Sequence, residues 1–123
     1  MTWQFQNDAP IYSQLIAQMT QRIVAGLYKV GEKLPSVRDL AAEAGVNPNT
    51  MQRALTELER DGLMYSQRTA GRFVTEDEEM IHNAKSKLAQ EQIAQFLSAM
   101  TNLGYDMPEI VALLQKAQQK EGA

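Results

Sequence analysis

Asn47, Asn49, Thr50, Gln52 and Arg53 crowd into one short stretch of this 123-residue chain. Their side chains share one kind of chemistry, the paired hydrogen bond. A primary amide matches the major-groove edge of adenine with two bonds, and a guanidinium matches guanine in the same way. Ser36 and Arg38 precede this group. Arg68, Thr69 and Arg72 follow it, around Gly71, where guanidinium groups suit phosphate oxygens or the negative potential of a narrow minor groove. Together these residues fit non-covalent reading of double-stranded DNA. Covalent chemistry has little to work with. There is no cysteine and a single histidine, His82, so neither a zinc site nor a Cys–His nucleophile can be assembled. No Gly-rich phosphate loop ends in Lys-Ser or Lys-Thr, and most carboxylates stand at helix starts, where capping explains them. No catalytic residue, metal or cofactor is expected.

The elements that must hold these groups are legible in the apolar spacing. Ile11, Leu15, Met19 and Ile23 follow Pro10 at helical intervals and predict a first helix ending near Gly26. Ser36 with Asp39 three residues on opens a short second helix carrying Val37, Leu40, Ala41 and Ala44, which Gly45 stops. Asn47 as cap and Pro48 at the first helical position open a third, Asn47 to Leu58, with Met51, Ala54, Leu55 and Leu58 inward and Gly62 beyond its end. Helix, Gly-containing turn and helix form a helix-turn-helix signature. The amide-rich group then lies on the first turns of the helix that enters the major groove, where free backbone N–H groups favour phosphate. Leu63–Ser66 and Arg72–Thr75 read as two strands joined by a small basic loop, a wing.

The remainder is helical. Thr75 and Glu78 read as a capping box opening a helix that runs to about Leu103, before Gly104; Asp106 to Glu109 cap a last helix, with fraying expected over 118–123. Its stripe of Ile81, Leu88, Phe96, Leu97, Met100, Leu103, Leu113 and Leu114 continues too far for packing on a small winged domain alone. It predicts a homodimer interface, the alternative being a tail folded back on its own domain. Met80, Phe96, Met100 and Tyr105 could line a pocket for an unidentified small-molecule effector, although such a stripe is more often core. The fold class expected is mainly α with a small β-hairpin wing: a winged helix-turn-helix over 1–75, and a helical dimerisation tail over 76–123.

Net charge gives weak support. The chain is at −3, with eight Lys and Arg against seven Asp and Glu in residues 1–75, and four against eight thereafter. A polyanion would prefer the first part. No apolar run approaches a membrane span, and the first ten residues do not read as a signal peptide, so a cytoplasmic protein without a membrane partner is expected.

Pro10-Ile11-Tyr12, Gln14, Gly26, Gly31, Leu34-Pro35-Ser36-Val37-Arg38, Leu40-Ala41, Gly45-Val46-Asn47, Asn49-Thr50, Ala54, Leu58, Gly62-Leu63, Gly71 and Phe73-Val74 together resemble the GntR family of bacterial transcriptional regulators over residues 10–75. The short tail is similar to that of its YtrA subfamily, whose tails serve dimerisation. The resemblance implies a sequence-specific regulator, more often a repressor, with Arg38 as a DNA-contacting arginine and Asn47, Asn49 and Thr50 at the start of the recognition helix. Gln52 stands where other members often carry arginine, Pro48 where many carry arginine or serine, and Thr69 where many carry glycine. A protein-interaction module and a DNA binder without sequence preference stay open as other readings of the same fold.

Overall fold

The computed structural model describes residues 2–121. Among them are α1 (Ile11–Val24), α2 (Val37–Ala44), α3 (Pro48–Arg60), strands β1 (Met64–Gln67) and β2 (Gly71–Val74), α4 (Glu78–Asn102) and α5 (Met107–Glu121). The architecture is mainly α with a β-hairpin wing. Two compact units divide the chain, one ending at Ser86 and one beginning at Lys87. The first thus reaches past Thr75, because Ile81 and Ala84 of α4 pack against its core. None of the described helices is long and apolar enough to cross a membrane.

Local chemistry sets the helix ends. Ser36 Oγ accepts from the Asp39 N–H at 3.1 Å and starts α2. Gly45 closes it at φ 72, and the N–H of Val46 then returns to Ala41 O at 3.0 Å. Asn47 Oδ1 accepts from the Asn49 N–H at 2.8 Å, with Pro48 leading α3, which runs on to Arg60. Asp106 and Glu109 bond each other's backbone N–H, both at 3.0 Å, a reciprocal box before α5. The start of α4 differs from the expected Thr75–Glu78 box. Thr75 Oγ1 accepts from Asp77 N–H, while Asp77 Oδ1 accepts from the N–H groups of Glu79 and Met80. Asp77, nearer the first helical residues, takes the cap and leaves Thr75 to shape the preceding turn. α5 stays helical through Glu121, beyond the point where fraying was expected; Gly122 and Ala123 lie outside the described residues.

The first unit is built on Leu15, Met19 and Ile23 of α1, Leu40 and Ala41 of α2, and Met51, Ala54, Leu55 and Leu58 of α3, all buried together with Leu63, Met64 and Val74 of the wing. Helix spacing puts these side chains on one face of each element, and their burial, on the order of 1.5–3 kcal/mol for each large side chain, sets the wing and α3 on one common core. β1 and β2 pair antiparallel from Met64↔Val74 to Gln67↔Gly71. The outer edge of β2 is also covered: Leu34 N–H bonds Arg72 O, and Val74 N–H bonds Glu32 O, each at 2.9 Å.

A segment before α1 joins the same unit. Gln18 accepts from Gln4 N–H and donates back to Gln4 O, and Gln14 does the same with Gln6. Two glutamines one turn apart therefore serve the extended segment as a neighbouring strand would. The alternate residues Trp3 and Phe5 stack 6.2 Å apart and pack against the core. Arg22, buried on α1, lays its guanidinium 3.9 Å from the centroid of the Trp3 ring.

Candidate nucleic-acid interface

α3 separates its faces cleanly. Met51, Ala54, Leu55 and Leu58 are buried, whereas Asn49, Gln52, Arg53 and Thr56 are exposed along the opposite side. The turn Gly45–Val46–Asn47 makes this possible. Its left-handed glycine and the half-buried Val46 bring α2 and α3 onto one core without covering the start of α3. An exposed polar first turn on a helix anchored from behind is the geometry that enters a major groove.

The predicted residues do not all stand as free contacts. Asn49 is exposed and its side chain makes no hydrogen bond among the described residues, so its amide is open to a base edge. Asn47 is exposed, but its carbonyl oxygen is committed to the cap. Thr50 is half-buried beside it. Gln52 Nε2 lies 3.4 Å from Thr56 Oγ1, a long bond that a base could displace. Arg53 is drawn toward α1, its guanidinium 4.7 Å from the Tyr12 ring centroid.

The helix terminus is less open than expected. Pro48 has no N–H and the N–H of Asn49 serves the cap, so among the described residues only Thr50 has a first-turn N–H left to offer an anion. Arg38 is exposed on the first turn of α2, where the chain of the helix-turn-helix would cross a backbone; Ser36 is exposed but its hydroxyl oxygen caps α2.

In the wing, Arg68 and Thr69 are exposed at the tip. Ala70 N–H bonds Gln67 O at 3.1 Å, and Thr69 holds φ 67 at the third position of that turn. That is the type II requirement, usually met by glycine. The left-handed shape thus persists with a β-branched residue, at a cost on the order of 1 kcal/mol. Arg72 differs from the expectation of a free phosphate contact. Its Nε bonds Glu59 Oε1 of α3 at 3.2 Å, and its side chain is only 17 % exposed. A shallow groove runs between the α2 start and the wing, lined by Lys33, Ser36, Val37, Gln67, Thr69 and Arg72.

Sequence reasoning missed Glu59 and Tyr12, because each meets a partner distant in the chain, and Lys33, which only the fold brings to the groove. Arg22 and the Trp3 segment were also unread; the signal was there in Gln14 and Gln18, spaced by one turn opposite alternating aromatics. Burial pushes the Tyr28 phenol above its ordinary value, with Glu43 adding to the shift and Arg22 opposing it.

Of the residues predicted for dimerisation, Ile81 is half-buried against the core of the first unit. Met80, offered as a pocket residue, places its Cε against Gly62, where an added Cβ would lie 3.2 Å away. In the second unit Leu88, Leu97 and Met100 are half-buried, while Phe96, Leu103, Leu113 and Leu114 are exposed. Ile93, Met107 and Val111 extend this exposed apolar set, and Ile110 is buried.

The family model described as bacterial regulatory proteins, gntR family, matches residues 11–74. The HTH-type transcriptional regulator YhcF of Bacillus subtilis (strain 168) is 40% identical over 88% of this chain and 89% of its own length. The HTH-type transcriptional repressor YtrA of the same organism is 34% identical over 85% of this chain and 81% of its own. A solved structure of a GntR family transcriptional regulator from Listeria monocytogenes aligns with a TM-score of 0.84 at 38% identity, covering 91% of this chain and 98% of that one. AraR(DBD), crystallised in complex with operator ORX1, aligns with a TM-score of 0.55 at 27% identity over 61% of this chain and 99% of its own.

Proposed function

Because the chain belongs to the gntR family of bacterial regulatory proteins, we propose that this DNA-binding transcriptional regulator acts as a cytoplasmic repressor, bound as a homodimer to a palindromic operator. It is a regulator rather than an enzyme. The observation that carries the reading is the exposed amide row of α3, with Asn49 open and Gln52 nearly so, set on a helix buried along its other side. YtrA, similar over most of both lengths, bears the name of a repressor. In this reading Asn49, Gln52 and Arg53 meet base edges, Arg38 and Arg68 meet phosphates, and Asn47, Ser36 and Arg72 act by shaping the surface. The exposed apolar residues of α4 and α5 pair two copies, and a two-fold axis then sets half-sites about one helical turn apart.

Selection of bound duplexes from a random pool tests this. The expected product is an inverted repeat that binds at least about a thousand-fold more tightly than its scrambled counterpart, the lower end of the usual range for specific over non-specific DNA binding. Equal binding of both duplexes would support a DNA binder without preference, and no binding a protein-interaction module. Two variants assign the roles. Arg38→Ala is expected to weaken all duplexes alike and flatten the dependence of log affinity on log salt by about one phosphate's share, a slope change near 0.9; an unaltered slope removes Arg38 from the contacts. Asn49→Ala is expected to relax preference at one base pair of each half-site, by about 1–3 kcal/mol. A selected profile identical to that of the parent protein would refute that assignment.

A further inference from the structure

Glu59 belongs to no group of residues expected to touch DNA, yet it stands between the two that do. It lies on the last turn of α3, its side chain 28 % exposed. Oε1 accepts from Arg72 Nε at 3.2 Å and from the Ser66 hydroxyl. Ser66 and Arg72 are directly opposed across the two strands of the wing. One carboxylate oxygen therefore holds both strands at a single rung. Only the Gln67↔Gly71 rung and the Arg68–Ala70 turn lie further out. Fixing that rung fixes where the tip of the wing stands beside the reading face of α3.

The same bond decides a charge. A phosphate contact attracts every DNA sequence alike, while contacts to base edges discriminate. With Arg72 met by Glu59 inside the protein, the wing keeps Arg68 as its exposed arginine. We infer that Glu59 is a positioning residue for recognition: it withholds Arg72 from phosphate and holds the wing in a fixed stance toward α3, so that sequence discrimination is gained over general affinity. The inference rests on the DNA-binding reading above.

The test uses the full chain, its selected duplex and a scrambled duplex of equal length. Glu59→Gln keeps an oxygen for Ser66 and removes only the charge. It is expected to steepen the salt slope by about 0.9, the share of one added phosphate contact, to tighten scrambled DNA several-fold, and to narrow the ratio between selected and scrambled DNA. Arg72→Gln is expected to leave the slope as it is, and the double variant to return the slope to the parent value. A slope lowered by Arg72→Gln would make Arg72 a phosphate contact and overturn the inference, as would a Glu59→Gln protein with an unchanged slope and ratio. Amide exchange without DNA gives a separate reading: Glu59→Ala should speed exchange at Ala70 and Leu34, and protection equal to the parent's would remove the restraint on the wing. Parent protein that shows no preference for the selected duplex would instead fail the functional reading itself, whatever the exchange data say about the wing.

Discussion

Leu113→Glu combined with Leu114→Glu is expected to convert a dimer into a monomer and to cut affinity for the selected operator by about a hundred-fold to ten-thousand-fold, the factor lost when a second half-site no longer profits from tethering. Neither leucine belongs to the row of α3 residues proposed to read DNA. Both are exposed in the single chain, at 38 % and 51 %, in company with Ile93, Phe96, Leu103, Met107 and Val111. Single exposed apolar residues are ordinary, but a set of this extent on two successive helices is what the proposed pairing of two copies would cover. Burying such side chains across a two-fold axis contributes on the order of 1–3 kcal/mol each, and two buried glutamates facing their symmetry mates would more than cancel that. Sedimentation equilibrium at micromolar concentration reads the first effect and a shift assay the second. Parent protein that sediments as a monomer, or a variant that remains a dimer, refutes the assignment of this face. Helical content equal to the parent's would show that the tail itself still folds.

The second large effect lies in the first unit. Leu55→Ala is expected to destabilise the winged domain by about 2–5 kcal/mol, the usual range for a fully buried leucine. Leu55 is 1 % exposed and belongs to the same cluster as Leu15, Leu40, Met64 and Val74. A small domain has roughly 5–15 kcal/mol in hand, and at about 4–8 °C for each kcal/mol the midpoint of thermal unfolding should fall by at least about 8 °C. DNA binding should disappear with the fold, at the same temperature, since wing and reading helix share one core. A midpoint within about 3 °C of the parent's would mean that this cluster does not hold the domain together.

What could be read before the structure follows from the range of the interactions involved. The caps Ser36, Asn47 and Asp106 were legible because each bonds a backbone group two or three residues away. The hairpin was legible from strand alternation around a Gly-containing loop. The cap at Asp77 was misplaced onto Thr75 because both residue types can cap and only the path of the chain chooses between them. The state of the arginines was hidden for a different reason. Arg72 meets Glu59 thirteen residues back in sequence, and Arg53 meets Tyr12 across two helices, so no local pattern announces either pairing. The sequence shows which residue types could reach DNA; tertiary contacts decide which of them are already engaged.

Trp3, the one tryptophan in the chain, sits half-buried on α1, with a cation 3.9 Å from its ring and an indole N–H that has no hydrogen-bond partner among the described residues. The molecule therefore carries a single-site fluorophore at the seam between its leading segment and the domain. Its emission colour reports whether that seam is closed, free of background from any second indole. Because the reading face of α3 has no tryptophan, a change in emission as DNA is added would register an event at the seam rather than stacking against a base.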